Sequence, residues 1–245
     1  MLGSLRFNIL MKNIFKIKIN YLTWYFLFIL FLCGYIKKGI IIFLIILFHE
    51  LGHIFIATLF KCKIISIEIF PFGGVSKIDK LLNERFLVDF LIAIMGVVFQ
   101  SILFLIFKNP EFIKINLYLI LFNLLPIIPL DGSKIVFEIY AYFFNYKKSI
   151  KLYYLTSFIF IVLYFILNFK YSLNNYMIII LLIYKTIEVV KNKNIFYEKF
   201  ILEKIFYNIK YKRVKQINGF SNKFYKNVKY YYFMHDKIIS DREYL

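Results

Sequence analysis

Residues 39–60 read Gly39-Ile-Ile-Ile-Phe-Leu-Ile-Ile-Leu-Phe-His49-Glu50-Leu-Gly52-His53-Ile-Phe-Ile-Ala-Thr-Leu-Phe60. The length suits a single bilayer crossing, which takes roughly 20 apolar residues. Three ionisable side chains fall inside it. Each such group costs at least about 2.5–3.5 kcal/mol at membrane depth, so three within five residues demand a partner. On a helix, positions i and i+4 share one face, and the imidazoles of His49 and His53 can reach a single metal ion. Glu50 sits around the helix from His49, close enough to act on a metal-bound water without being forced to ligate. Zinc suits imidazole nitrogen and carboxylate oxygen, lowers the pKa of bound water to about 7 and polarises a carbonyl. The other reading, ionisable side chains with no metal, leaves the insertion cost uncompensated.

The rest of the chain has the same character. Of its 245 residues 61% are hydrophobic and 22% aromatic, with a mean hydropathy of +0.70. That is more apolar surface than one soluble core can bury. The expected fold is an all-α polytopic membrane protein. Its segments fall at about 21–36, 39–60, 87–107, 115–130, 152–169 and 175–190, six in all, with a short membrane-associated β-hairpin or loop and a basic C-terminal tail. Residues 1–20 form a cytosolic N-terminus, 21–190 the membrane domain with its core at about 39–132, and 191–245 the tail.

A net charge of +18 raises the question of nucleic acid, and the distribution answers it. With the N-terminus cytosolic, the pieces on that side hold 26 Lys and Arg, and the opposite face holds Lys37, Lys38, Lys108, Lys114 and Lys170. This asymmetry is the positive-inside pattern, so the basicity reads as topology and contact with anionic lipid. No nucleic-acid partner is expected, and both termini are placed in the cytosol. The first apolar stretch has no small-residue cleavage site after it and reads as a retained signal anchor. Cys33 and Cys62 make no disulfide framework and match no zinc spacing, so both read as free thiols.

Between Lys61 and Lys80 the helical pattern breaks. Ile64-Ile65-Ser66-Ile67-Glu68-Ile69-Phe70 partly alternates as a strand, and Pro71-Phe72-Gly73-Gly74-Val75 reads as a turn. Ser133 to Phe144 reads as a helix lying partly in the interface, interrupted by Lys134 and Glu138.

Two histidines need a third protein ligand, with the fourth position left for water or substrate. His235, the remaining histidine, lies far away in the basic tail, so a carboxylate is expected. Asp131 is the best candidate. It closes Asn123-Leu-Leu-Pro126-Ile-Ile-Pro129-Leu-Asp131-Gly132, whose prolines and glycine break the helix where irregular backbone is tolerated mainly against protein or a water-filled cavity. A helix cap is the other reading of Asp131.

The His49-Glu50-Leu51-Gly52-His53 string, followed by Asn123, Pro126, Asp131 and Gly132, resembles the site-2 protease family of intramembrane zinc proteases. The turn Pro71-Phe72-Gly73-Gly74-Val75 after Ile67-Glu68-Ile69 resembles the family's stage IV sporulation protein FB branch, whose members process the precursor of a mother-cell sigma factor, pro-sigma-K. The resemblance covers about residues 20–190. It implies one zinc ion per chain held by His49, His53 and Asp131, with Glu50 as general base. Asn123 would position or polarise the substrate backbone, and Phe72 and Pro129 would wall the substrate channel, though Phe72 reads equally as an interfacial anchor. The substrate implied is membrane-associated and pro-sigma-K-like, cleaved near the cytosolic face, in the mother-cell membrane around the forespore. A membrane-anchored anti-sigma factor or a signal-peptide remnant is the alternative substrate. Inhibitory membrane partners like the sporulation proteins FA and BofA follow from the same branch.

Two departures stand out. The family's helix-packing motif usually contains Gly-Pro, and here the nearest match, Ala93-Ile94-Met95-Gly96-Val97, has Val97 in the proline position. Longer members of the branch end in a nucleotide-sensing CBS module. The tail after Val190 has about 55 residues, which makes ATP binding doubtful, and it reads as a shortened or degenerate CBS-like region or as a basic docking surface. The hairpin near 64–75 would let an extended substrate strand pair along its edge. Outside the protease class, a transporter would commonly show paired repeats, of which none is evident, and a catalytically idle scaffold would retain the four chemical residues without using them.

Overall fold

The computed structural model describes residues 17–70, 73–167, 173–207, 211, 213–218, 224–234 and 237–240. Strand β1 (Ile17–Ile19) leads into helices α1 (Tyr21–Leu32) and α2 (Ile36–Leu59), and a hairpin of β2 (Lys63–Phe70) and β3 (Gly73–Asp79) follows. Helices α3 (Phe86–Ile106), α4 (Pro110–Asn123), α5 (Asp131–Phe143), α6 (Tyr146–Leu167), α7 (Leu173–Lys191) and α8 (Lys193–Phe206) come next, and β4 (Arg213–Asn218), β5 (Val228–Met234) and β6 (Lys237–Ser240) end the chain. Among the described residues three helices, α2, α3 and α6, are long and apolar enough to cross a membrane. The helical membrane architecture with a small sheet is therefore as expected. α1 and α4 are shorter than a full crossing, with 12 and 14 residues.

Local chemistry sets the breaks. Lys61 adopts φ 58°, the left-handed conformation that stops α2, and the Cys62 amide turns back to the Ala57 carbonyl at 2.8 Å. At the start of α4 the Asn109 side chain accepts from the amides of Glu111 and Phe112, with Pro110 at the first helical position. α4 therefore begins at Pro110 rather than near 115, and it ends at Asn123 before the Pro126 break instead of running to 130.

The chain forms two compact units: the residues up to Lys80 with Leu91–Leu124, and Leu81–Phe90 with Leu125–Leu245. In the first, Ile45, Leu103 and Phe112 build a core between α2, α3 and α4. Ile64 and Ile67 of β2 bury against Leu51 and Ile54 of α2, seating the hairpin on that helix. β2 pairs antiparallel with β3 from Lys63↔Asp79 to Phe70↔Gly73, and a bulge between Ile64 and Ser66 turns Ile65 outward, 47% exposed. The hairpin thus runs further than the alternation predicts, because Gly73 and Gly74 already belong to β3. β1 adds to the other edge of β2 in parallel, Ile17 opposite Ile67.

The second unit holds α5 to α8 and the sheet β4-β5-β6, in which β4 and β5 are parallel and β5 and β6 antiparallel. Tyr146 stacks on Phe200 at 3.8 Å between ring centres, with Phe224, Tyr230 and Tyr232 around them. Two buried lysines organise the tail. Lys204 donates to the Val228 carbonyl at 2.8 Å, and Lys226 reaches Asp89 at 2.5 Å and Glu138 at 2.7 Å. Burial alone would push the Lys226 ammonium down, and the Glu138 and Asp89 carboxylates outweigh it, holding it above the usual lysine range. The described residues of the region expected as a basic tail pack around these contacts.

Candidate active site

α2 carries His49, Glu50 and His53 with 5%, 4% and 5% exposure. The two imidazoles meet edge to face, ring centres 4.7 Å apart, as their i, i+4 spacing requires. Close helix packing makes room for them. A Cβ on Gly52 would collide with the Met95 carbonyl of α3, and one on Gly96 would meet both imidazoles inside 3 Å. Glycine at these two positions lets the α2 and α3 backbones approach and brings α3 directly against the histidine pair. Gly96 belongs to the Ala93–Val97 stretch, so the departure at Val97 leaves the close approach intact.

The outer nitrogens of both rings have acceptors. His49 Nδ1 lies 3.0 Å from Gln100 Oε1, and His53 Nδ1 lies 2.6 Å from the Ile92 carbonyl. A carbonyl oxygen only accepts, so each Nδ1 carries its hydrogen and each Nε2 is left with a lone pair. Those two Nε2 atoms are 3.1 Å apart. Two lone pairs at that distance repel unless a cation lies between them. Two imidazoles bound to one tetrahedral zinc place their nitrogens about 3.3 Å apart, from a Zn–N bond of roughly 2.0–2.1 Å. The donor set and spacing fit a zinc ion.

Glu50 faces the hairpin. Ser76 Oγ of β3 donates a short hydrogen bond to Glu50 Oε2, and Gly74 passes so close that a Cβ there would strike the Glu50 carboxylate. Nearby on the surface of the sheet, Lys77 pairs with Glu68 at 2.9 Å and holds the Glu68 carboxyl below its ordinary range.

Asn123 is the last residue of α4, half-buried in the same unit. Asp131 belongs to the second unit, as the buried first residue of α5. There its charge meets the helix N-terminus, and Lys134 reaches Oδ1 at 2.7 Å. Pro129 is exposed in the loop before it. Phe72 and His235 lie outside the described residues. Sequence reasoning missed Gln100, Asn116 and Ser76. Gln100 and Asn116, both wholly buried, had a usable signal: each is an uncharged polar residue in an apolar run, where polarity is costly. Ser76 had none.

The model of peptidase family M50 matches residues 38–108 and 111–167, more than half of the chain and all of the histidine helix's motif. The chain belongs to peptidase family M50. Among relatives of this M50 chain, stage IV sporulation protein FB of Bacillus subtilis is 30% identical over 162 residues, 61% of the chain and 56% of that protein. A zinc metalloprotease of Methanocaldococcus jannaschii is 31% identical over 125 residues, 46% of the chain and 37% of that protein. The chain thus spans about half or less of the length of these relatives. The solved site-2 protease from Methanocaldococcus jannaschii shares the fold, with a TM-score of 0.53 at 21% identity, over 71% of the chain and 91% of that structure.

Proposed function

We propose that this integral membrane protein is a zinc endopeptidase that hydrolyses a peptide bond of a membrane-associated protein near the cytosolic face. One observation carries the reading: two buried imidazoles bring their Nε2 atoms within 3.1 Å of each other while each Nδ1 is held by an oxygen, with a buried carboxylate, Glu50, on the same helix. Membership of family M50 supports it. His49, His53 and Asp131 are the proposed ligands of one zinc ion. Zinc held there would make a bound water acidic near neutral pH and polarise the scissile carbonyl. Glu50 accepts the proton of the attacking water and hands it to the leaving amine nitrogen. Asn123 orients the substrate backbone, and Phe72 and Pro129 line its path. The hairpin's position against Glu50 supports a scissile segment lying beside β3, where an extended segment would have its backbone groups satisfied in a medium where lipid cannot do so.

Within this class the sporulation reading is the more specific. Likeness to stage IV sporulation protein FB supports a pro-sigma-K-like substrate, inhibitory partners like the sporulation proteins FA and BofA and a place in the mother-cell membrane, and the distribution of Lys and Arg supports both termini in the cytosol. Co-expression with a pro-sigma-K-like precursor and, separately, a membrane-anchored anti-sigma factor tests both levels. Cleavage by the wild type and none by Glu50→Gln, with zinc content unchanged, is the expected result. Cleavage that survives Glu50→Gln would sink the mechanism, and cleavage of the anti-sigma factor alone would replace the sporulation substrate.

A further inference from the structure

Gln100 is wholly buried on α3, and its two amide atoms have different tasks. Its Nε2 donates to the Asn116 backbone carbonyl of α4 at 3.3 Å, and Asn116 Nδ2 donates back to the Gln100 backbone carbonyl at 3.2 Å. This reciprocal pair determines which end of the Gln100 amide meets the histidine. A flipped amide would set its oxygen against the Asn116 carbonyl, two acceptors with no hydrogen between them. Oε1 therefore faces His49 Nδ1, 3.0 Å away, and can only accept. His49 is held as the Nδ1–H tautomer with its ring angle fixed.

We propose that Gln100, locked by Asn116, is the positioning residue that sets the tautomer and orientation of His49 for metal binding. The proposal rests on the zinc reading above. Histidines that bind metals almost always donate their other N–H to an oxygen, and loss of that oxygen typically costs 10–100-fold in metal affinity, on the order of the effect expected here. His53 obtains the same service from the Ile92 backbone carbonyl, which no side-chain substitution removes. His49 depends on a side chain. A neutral amide serves at this depth because it accepts the hydrogen bond without adding a charge in an apolar helix. The competing explanation is that Gln100 and Asn116 only fasten α3 to α4, as polar pairs between membrane helices do.

The two explanations part on zinc affinity in the folded protein. The full chain, purified in detergent, is titrated with zinc against a chromogenic chelator, and the unfolding midpoint of the zinc-free protein is measured alongside. Gln100→Met removes the acceptor at similar side-chain length and is expected to weaken zinc binding by about 10–100-fold. Gln100→Glu is expected to stay within about threefold of wild type, because at this depth the side chain is the neutral acid, whose O–H donates to the Asn116 carbonyl and whose carbonyl oxygen accepts from His49. Gln100→Leu replaces the Met variant if that one fails to fold. A variant lacking the acceptor that binds zinc like wild type overturns the role of Gln100 and leaves the zinc centre standing, as does a Glu variant that loses as much as the Met variant. A wild-type protein that binds no zinc overturns the zinc centre and this proposal together.

Discussion

Glu50 is enclosed by residues that have no chemistry of their own. Ser76 gives its carboxylate a hydrogen bond, and Gly74 leaves room for it where any side chain would intrude. On the proposed role of Glu50 as general base, Gly74→Ala is expected to lower cleavage at least about tenfold while zinc content stays at the wild-type level, because displacement of such a group by even 1 Å can cost on the order of 100-fold. Assay of cleavage together with metal analysis checks it. The difference in legibility between these residues is physical. His49, Glu50 and His53 announce themselves because their types are expensive in an apolar helix and their spacing follows the helical period. Gly74 and Ser76 meet Glu50 through the fold of a hairpin on a helix, at a separation of 24 and 26 positions, and in the sequence Gly74 reads only as a turn residue.

At the scale of elements, the crossing of α2 and α3 depends on glycine. Gly52→Ala is expected to destabilise the protein by about 1–3 kcal/mol, the usual cost of forcing extra atoms into a filled contact, since the obstruction is the Met95 backbone and cannot rotate away. A lowered unfolding midpoint in detergent, with or without zinc, is the measurement. Apolar runs made the long helices legible, and the alternation at Ile64–Phe70 made β2 legible. The start of α4 was also written locally, in Asn109 and Pro110, although the apolar run masks it. β4, β5 and β6 were not legible. Their Lys and Tyr residues lack clean alternation, and what orders them is distant: Lys226 with Asp89 and Glu138, and Glu203, which accepts from the Leu82 and Asn83 amides and whose carboxyl burial pushes upward.

At the scale of the whole molecule, charge governs both stability and placement. Lys226 is 5% exposed between two buried carboxylates, so Lys226→Met strands them and is expected to cost about 3–5 kcal/mol, read as a lowered unfolding midpoint. Adding Asp89→Leu and Glu138→Met should restore most of the loss, because a buried ion triad replaced as a set by apolar side chains of similar volume is close to neutral. Placement is tested with the native thiols. Cys62 follows α2 and is half-exposed, and the excess of basic residues on its side predicts that it faces the cytosol. A membrane-impermeant maleimide is expected to label Cys62 in inverted vesicles and to leave it unlabelled in intact cells. The parallel pairing of β1 with β2 makes a second, independent demand. Ile17–Ile19 precedes α1 and Lys63–Phe70 follows α2, and strands that share a hydrogen-bonded ladder occupy one leaflet boundary. The 43 residues between them must leave that boundary and return to it, so the number of bilayer crossings they make is even. Parity alone thus ties the segment before the first helix to the side on which the hairpin covers Glu50, whichever compartment that side faces.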